Sequence, residues 1–336
     1  MTTDERLTQS PLSPAGAART AAVGVAMGAA DIVPGVSGGT VALILGVYQR
    51  LLGALSRFDR ELLSHLAGRR LAEAWRHLDA TFLISLGLGV GVGVKGLASL
   101  MTYLLTEQQT FTFAAFFGLI LASGVLVARL SKPASPAKAA QCVAFGIVAA
   151  CFAVWLMSQG RITPSDNLGY TFLCGAIAIC AMILPGISGA YLLLILGKYE
   201  TISDIVHRAP GLSLTDFTTL GVFALGCLVG LLSFSRFLKW LLESYWSSTM
   251  AVLSGFMIGS LYRVWPFQSD TTPEVEEFKL KVFQPVRPES FGNEAITCLV
   301  IAAASFGFVL VVDWIADRFG NTTEDVAEAI SDEPLA

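Results

Sequence analysis

Charge is scarce in this 336-residue chain: Asp, Glu, Lys and Arg together make up 14% of it, against about 25% in soluble domains. That shortage argues against a single water-facing domain. A net charge of -4 says little about partners; nucleic acid is not an expected one. Histidine is rarer still, and the three present (His65, His77, His207) form no HExxH or other ligand pair; loop positions on the surface are expected for them. The six cysteines (Cys142, Cys151, Cys174, Cys180, Cys227, Cys298) lie inside apolar segments without a CxxC or Cys/His spacing, which suits small packing residues. No metal site and no cofactor are expected. The N-terminus lacks the basic start and apolar core of a signal peptide. Residues 1–16, with Asp4 and Glu5 among Ser, Thr and Pro, are expected to form a disordered cytoplasmic tail, and residues 319–336 an acidic one.

Apolar residues, by contrast, make up 54% of the chain. Stretches near 82–105, 111–128, 139–158, 217–242, 249–265 and 295–312 each approach or exceed the roughly 20 residues that cross a bilayer. The expected class is an all-α polytopic membrane protein.

Its most informative feature is a duplication. PGVSGGTVALILGVY at Pro34–Tyr48 returns as PGISGAYLLLILGKY at Pro185–Tyr199, offset by 151 residues, with nine of fifteen positions identical. The flanking segments are short. Thr20–Val33 is apolar for fourteen residues, about 21 Å at the helical rise, and Val36–Val47 runs only twelve before Gln49 and Arg50. Neither spans a core of about 30 Å alone. Two half-helices meeting at Pro34-Gly35 and leaving by the face they entered fit these lengths. The second copy repeats the pattern from Leu168–Leu184 to Ile187–Gly197.

Three spans would then separate two re-entrant hairpins, and an odd number of crossings turns the second upside down. With the N-terminus inside, fourteen Lys and Arg fall on the cytoplasmic side and seven outside, leaving Lys95 within a span, as the positive-inside rule prefers. The expected fold is two inverted-topology repeats, each a re-entrant helical hairpin plus three transmembrane helices. Repeat 1 covers 17–160 and breaks at Pro34–Gly39; repeat 2 covers 161–318 and breaks at Pro185–Ala190. Beyond the motif, Gly89-x-x-x-Gly93 matches Gly226-x-x-x-Gly230, and Gly118 and Ser123 match Gly255 and Ser260, all offset by 137. Small residues four apart suit close helix packing.

The breaks carry the candidate chemistry. Pro34 and Pro185 interrupt a helix, and Gly35, Gly38, Gly39, Gly186 and Gly189 leave amides uncovered. Such backbone survives in a membrane only where it is buried in protein or lines a polar cavity. A half-helix starting there presents N–H groups and positive dipole character, an anion site for which phosphate is a natural guest. Ser37, Ser188 and Thr40 add hydroxyls. Lys95, deep in its span, reads either as a counter-charge for the anion or as a partner of Asp31. Asp31 aligns with Met182 and breaks the symmetry, so it is a candidate proton acceptor or ion-pair partner. Arg236 reads as a snorkelling cation at the cytoplasmic end of its span or a further anion contact.

AADIVPGVSGGTVALILGVY followed by ILPGISGAYLLLILGKY resembles the PopT family of bacterial polyprenyl-phosphate transporters. The resemblance runs from about Arg19 to Phe319. It implies that undecaprenyl phosphate, the carrier lipid of cell-wall synthesis, is returned across the bacterial cytoplasmic membrane, with both termini cytoplasmic and no enzymatic step. The family motif falls here on Asp31, Pro34, Gly35, Ser37, Gly38, Gly39 and Thr40, and again on Pro185, Gly186, Ser188 and Gly189. Ala190 and Tyr191 replace Gly39 and Thr40 in the second copy. The implied partners are the polyprenyl-phosphate lipid and membrane lipids; a coupling proton or sodium ion and a homo-oligomer are further candidates. An alternative is an undecaprenyl-pyrophosphate phosphatase, whose PGxSRSxxT motif is similar, but Gly38 and Gly39 stand where that enzyme has Arg and Ser. A small-anion transporter is the third reading.

Overall fold

The first helix begins earlier than the tail boundary suggests. Ser13 caps it, its Oγ accepting from Gly16 N at 3.1 Å, and α1 runs over Pro14–Asp31. The computed structural model describes residues 13–31, 37–208, 211–272, 281, 283–288 and 292–331, with side chains as far as 314. After α1 come two short helices, α2 (Gly38–Ile44) and α3 (Tyr48–Ser56), bent by 115° at a turn where Gly46 takes φ 72°. The segment carrying His65 and His77, for which loop positions are expected, folds into α4 (Arg60–Ala67) and α5 (Leu71–His77). Three long helices follow: α6 (Ala80–Glu107), α7 (Gln109–Arg129) and α8 (Pro136–Met157). The second half repeats the order with α9 (Leu168–Ile183), α10 (Gly189–Ile195) and α11 (Tyr199–His207), then α12 (Leu214–Ser244) and α13 (Trp246–Ser260). A small antiparallel hairpin, β1 (Gln268–Asp270) with β2 (Phe283–Pro285), precedes α14 (Asn293–Ser331).

Five helices among the described residues are long and apolar enough to cross a membrane: α6, α7, α8, α12 and the stretch Asn293–Trp314 of α14; a sixth counts if α2 and α3 form one bent span. Leu88, Val92, Val148, Leu299 and Phe308 are exposed on these helices, as expected for surfaces facing lipid. One sequence expectation needs correction. The span expected at 249–265 is a 15-residue helix, α13, that ends at Ser260. It does not need membrane length, because it is wrapped by other helices, with Met250, Leu253 and Met257 almost wholly buried. The acidic segment expected as a tail continues α14 in helical conformation to Ser331.

Helix packing is set by small residues, and the same contacts occur twice. A Cβ on Gly89 would collide with Ala21 O and one on Gly93 with Val25 O, so α6 lies against α1 backbone to backbone. In the second half, Gly226 meets Phe172 O and Gly230 meets Ala176 O, placing α12 on α9. Partners advance together along each pair, so both pairs run parallel. Cys180 Sγ donates to Gly230 O and Cys227 Sγ to Gly175 O within the second seam. The α6–α7 and α12–α13 turns also match: Thr112 Oγ1 donates to Leu104 O and Gln108 O, and Thr249 Oγ1, 137 residues on, to Leu241 O and Tyr245 O. The halves then exchange partners. Gly118 of α7 meets Ala302 of α14, Gly255 of α13 meets Gly146 of α8, and Ser254 Oγ donates to Gly124 O at 2.8 Å to join α7 and α13 at the centre.

The histidine expectation also changes. His65 and His77 lie in the last turns of α4 and α5, their rings 5.7 Å apart and their side chains 13% and 15% exposed. The turn between these helices, with Arg69 at φ 53°, folds back so that residues twelve apart meet.

Candidate functional site

Each break ends one helix and starts a half-helix through its serine. Ser37 has extended backbone and caps α2, its Oγ accepting from Gly39 N at 3.1 Å. Asp31, at the end of α1, takes the neighbouring amide: its Oδ1 accepts from Gly38 N at 2.6 Å. Pro34 and Gly35 fall outside the described residues. In the second break Leu184 is extended, Pro185 is buried and Gly186 takes φ 85°. A Cβ at Gly186 would press on the backbone of Met257 at 2.7 Å, so glycine is needed here for both conformation and space. Ser188 caps α10, its Oγ accepting from Tyr191 N at 3.3 Å, and Gly189 packs on Ala178 O.

The two breaks abut. Thr40 Oγ1 accepts from Gly186 N at 3.0 Å, Ser37 Oγ donates to Leu184 O at 3.4 Å, and Tyr48 Oη donates to Ile183 O at 2.9 Å. Ser37 and Thr40 are buried. The amides of Gly38, Gly39 and Gly186 therefore rest on oxygens of Asp31, Ser37 and Thr40. These donors are gathered at one place, and an incoming anion would have to displace protein oxygens to use them.

Two sequence-predicted residues lie elsewhere. Lys95 sits two residues past Gly93, about 200° around the helix from the α1 seam, and is exposed. Among the described residues no ion pair joins it to Asp31. Arg236 donates from Nε to Ser56 O at 3.4 Å and from Nη2 to Phe58 O, tying α12 to the end of α3.

Thr40 also lines an apolar cavity of about 410 Å³. Ala26, Ala29 and Ala30 of α1, Val41 and Ile44 of α2, Phe116, Leu119, Ile120 and Ser123 of α7, and Phe308, Val309 and Val312 of α14 line it. At matching positions of the second half stand bulkier residues, Tyr191 for Thr40 and Phe256 for Leu119. Tyr191 and Phe256 pack there against Ala181, Ile187 and Leu192, and Tyr191 Oη donates to Met157 O at 2.7 Å. Arg263 lies over the Tyr191 ring, its Cζ 4.8 Å from the centroid, and donates to Phe283 O at 2.9 Å. This guanidinium is buried. The sequence analysis does not single out Arg263; the available signal is an arginine inside the apolar stretch 249–265.

Membrane-length helices around two abutting backbone breaks define a multi-pass helical membrane protein. A family model described as VCA0040-like, undecaprenyl phosphate translocase-like, matches residues 27–281. The chain belongs to that family. It is 34% identical over 304 residues to a polyprenyl-phosphate transporter of Vibrio cholerae, an alignment covering 88% of this chain and 96% of that protein. A polyprenyl-phosphate transporter of Staphylococcus aureus is 31% identical over 252 residues, 72% of this chain and 84% of that one. The family and these relatives are named for transport, not for an enzymatic reaction. No solved structure matches.

Proposed function

We propose that this protein carries a polyprenyl phosphate across the bacterial cytoplasmic membrane, returning undecaprenyl phosphate to the cell-wall cycle. The phosphate is received between the two breaks, and the isoprenoid chain lies in the apolar cavity. One observation carries this reading: Thr40 both accepts the Gly186 amide from the opposite half and lines the apolar cavity. A phosphate on a long apolar chain needs a polar point joined to an apolar groove, whereas a free anion needs only the first. The names of the relatives support the substrate class.

The supporting architecture is a pair of inverted repeats, each with a re-entrant hairpin. Because α1 and α6 pack in parallel, the chain leaving Asp31 must return to the side where α1 began before α6 starts at Ala80. The parallel α9 and α12 make the same demand. Three helices, α6 to α8, lie between the hairpins, which inverts the second relative to the first. The basic-residue bias assigns both termini to the cytoplasm.

Asp31 supplies the gating chemistry. Its carboxylate holds the Gly38 amide at the start of α2, where a phosphate oxygen would bind. Ionised Asp31 and a phosphate compete for that amide and repel each other. Protonation of Asp31 weakens its charge-assisted hold on the amide and removes the like charge, so headgroup entry is coupled to a proton on Asp31. A coupling sodium ion would act at the same carboxylate. Rocking of the two halves about the α7–α13 contact then exposes the headgroup to the other side. Lys95 and Arg236 stand outside this headgroup site; Arg263 is a buried cation over Tyr191, three residues past Ser188.

Purified protein in liposomes is expected to move a short-chain polyprenyl phosphate between leaflets. Flux of inorganic phosphate without lipid movement would overturn the reading in favour of an anion carrier, and hydrolysis of the pyrophosphate form would overturn it in favour of a phosphatase.

A further inference from the structure

The histidine pair on the α4–α5 hairpin lies apart from the breaks and plays no part in the proposed transport. Ligand atoms of Glu61, His65 and His77 all lie within 4.8 Å of one another. Glu61 and His65 are four apart on α4, which puts them on one face, and Glu61 Oε1 is 3.6 Å from His65 Nε2. The other nitrogen of each ring faces a carboxylate. His65 Nδ1 is 3.1 Å from Glu73 Oε2, and His77 Nε2 is 3.0 Å from Asp59 Oδ1. His65 Nδ1 is buried and lacks a well-aligned hydrogen bond. Asp59 is itself fixed, because it caps α4 by accepting from Leu62 N at 3.0 Å.

We propose that Glu61, His65 and His77 form a binding site for a divalent transition metal of the zinc class. Two imidazoles and a carboxylate make a nitrogen/oxygen donor set typical of zinc, with a fourth position left for water. The flanking carboxylates match the outer shell of such sites, where each ligating imidazole gives its second nitrogen to an acidic oxygen that orients the ring. Asp59 and Glu73 hold that position here. Bonds of about 2.1 Å place ligand atoms about 3.4 Å apart in a tetrahedron, so the ligands must close in by about 1 Å. Glu61, whose side chain is 66% exposed, is free to make that adjustment by rotation. A surface cluster of ion pairs is the ordinary alternative, but it does not account for two rings converging with their outer nitrogens on separate carboxylates. The metal would cross-link α4 and α5 just beyond Phe58, whose carbonyl receives Arg236 of α12. It would thus brace the surface on which the two halves meet.

The test uses full-length protein in detergent with its affinity tag removed, dialysed against Zn²⁺ or Co²⁺ alone. One equivalent is expected to bind, with the visible absorption of a nitrogen-ligated Co²⁺ site. His65→Ala combined with His77→Ala should weaken binding at least 100-fold, and Glu61→Gln at least 10-fold. Glu73→Gln, which touches no metal, should weaken it by roughly 10- to 100-fold. Glu61→Gln alters an exposed side chain and serves as the decisive variant if the double variant fails to fold. Unchanged affinity in Glu61→Gln, or less than one equivalent in the parent chain, overturns the site.

Discussion

Asp31 and Thr40 each hold an amide that a phosphate would need, and the two contacts predict different behaviour. Thr40→Val removes the acceptor of the buried Gly186 amide while keeping the shape of the side chain. An unpaired buried amide costs about 1–3 kcal/mol, so chemical unfolding in detergent should show a loss in that range. Thr40→Ser restores the acceptor and should recover most of it; a Thr40→Val chain as stable as the parent would show that the breaks do not depend on this bond. Asp31→Asn keeps an oxygen for Gly38 N but removes the ionisable group. If Asp31 must be protonated for the headgroup to enter, parent transport in liposomes rises as pH falls. The Asp31→Asn chain should lose that dependence. A variant with the parent's pH profile would remove Asp31 from the coupling step.

The helix seams were largely legible in the sequence, and the cavity was not. Gly89 and Gly93 matched Gly226 and Gly230 at a fixed offset, and each glycine meets a main-chain oxygen of the neighbouring helix. A helix with no Cβ at two successive turns admits a neighbour's backbone, and that property is written in the residue types themselves. The cavity depends instead on what fills equivalent space in each half: Thr40 and Leu119 leave it open, and Tyr191 and Phe256 fill it. The substitution of Tyr191 for Thr40 was visible in the alignment, but its consequence needed the surrounding helices. The α4–α5 hairpin was missed because its charged sequence reads as a solvated loop. The meeting of His65 with His77 depends on a backbone turn that no spacing rule announces. The asymmetry can be tested by copying the filled half onto the open one. Thr40→Tyr with Leu119→Phe should fill much of the 410 Å³. It is expected to slow movement of a long-chain polyprenyl phosphate at least tenfold while leaving the protein monodisperse. Transport at the parental rate would mean that the chain travels elsewhere.

The proposed inversion of the two halves rests on one geometric relation, the parallel packing of α1 on α6 and of α9 on α12. Parallel neighbours require the connecting chain to return to the side it left, and in the proposed architecture it does so by turning back at each break. The abutting breaks then approach from opposite sides, which is the arrangement alternating access needs. Sidedness can be read by labelling single cysteines in a background without the native six. Cys180 and Cys227 should be replaced by serine, because each donates its side-chain hydrogen across the α9–α12 seam and a hydroxyl can take over that bond. Ser64 on α4 and Asp204 on α11 are exposed, and each follows its own hairpin. Ser64→Cys should react with a membrane-impermeant maleimide only when the cytoplasmic face is open, as in inverted vesicles. Asp204→Cys should react only in intact spheroplasts. Labelling of both positions from one face would make the halves parallel, separate the two breaks onto the same side, and leave the Thr40–Gly186 contact without a role in moving a headgroup between leaflets.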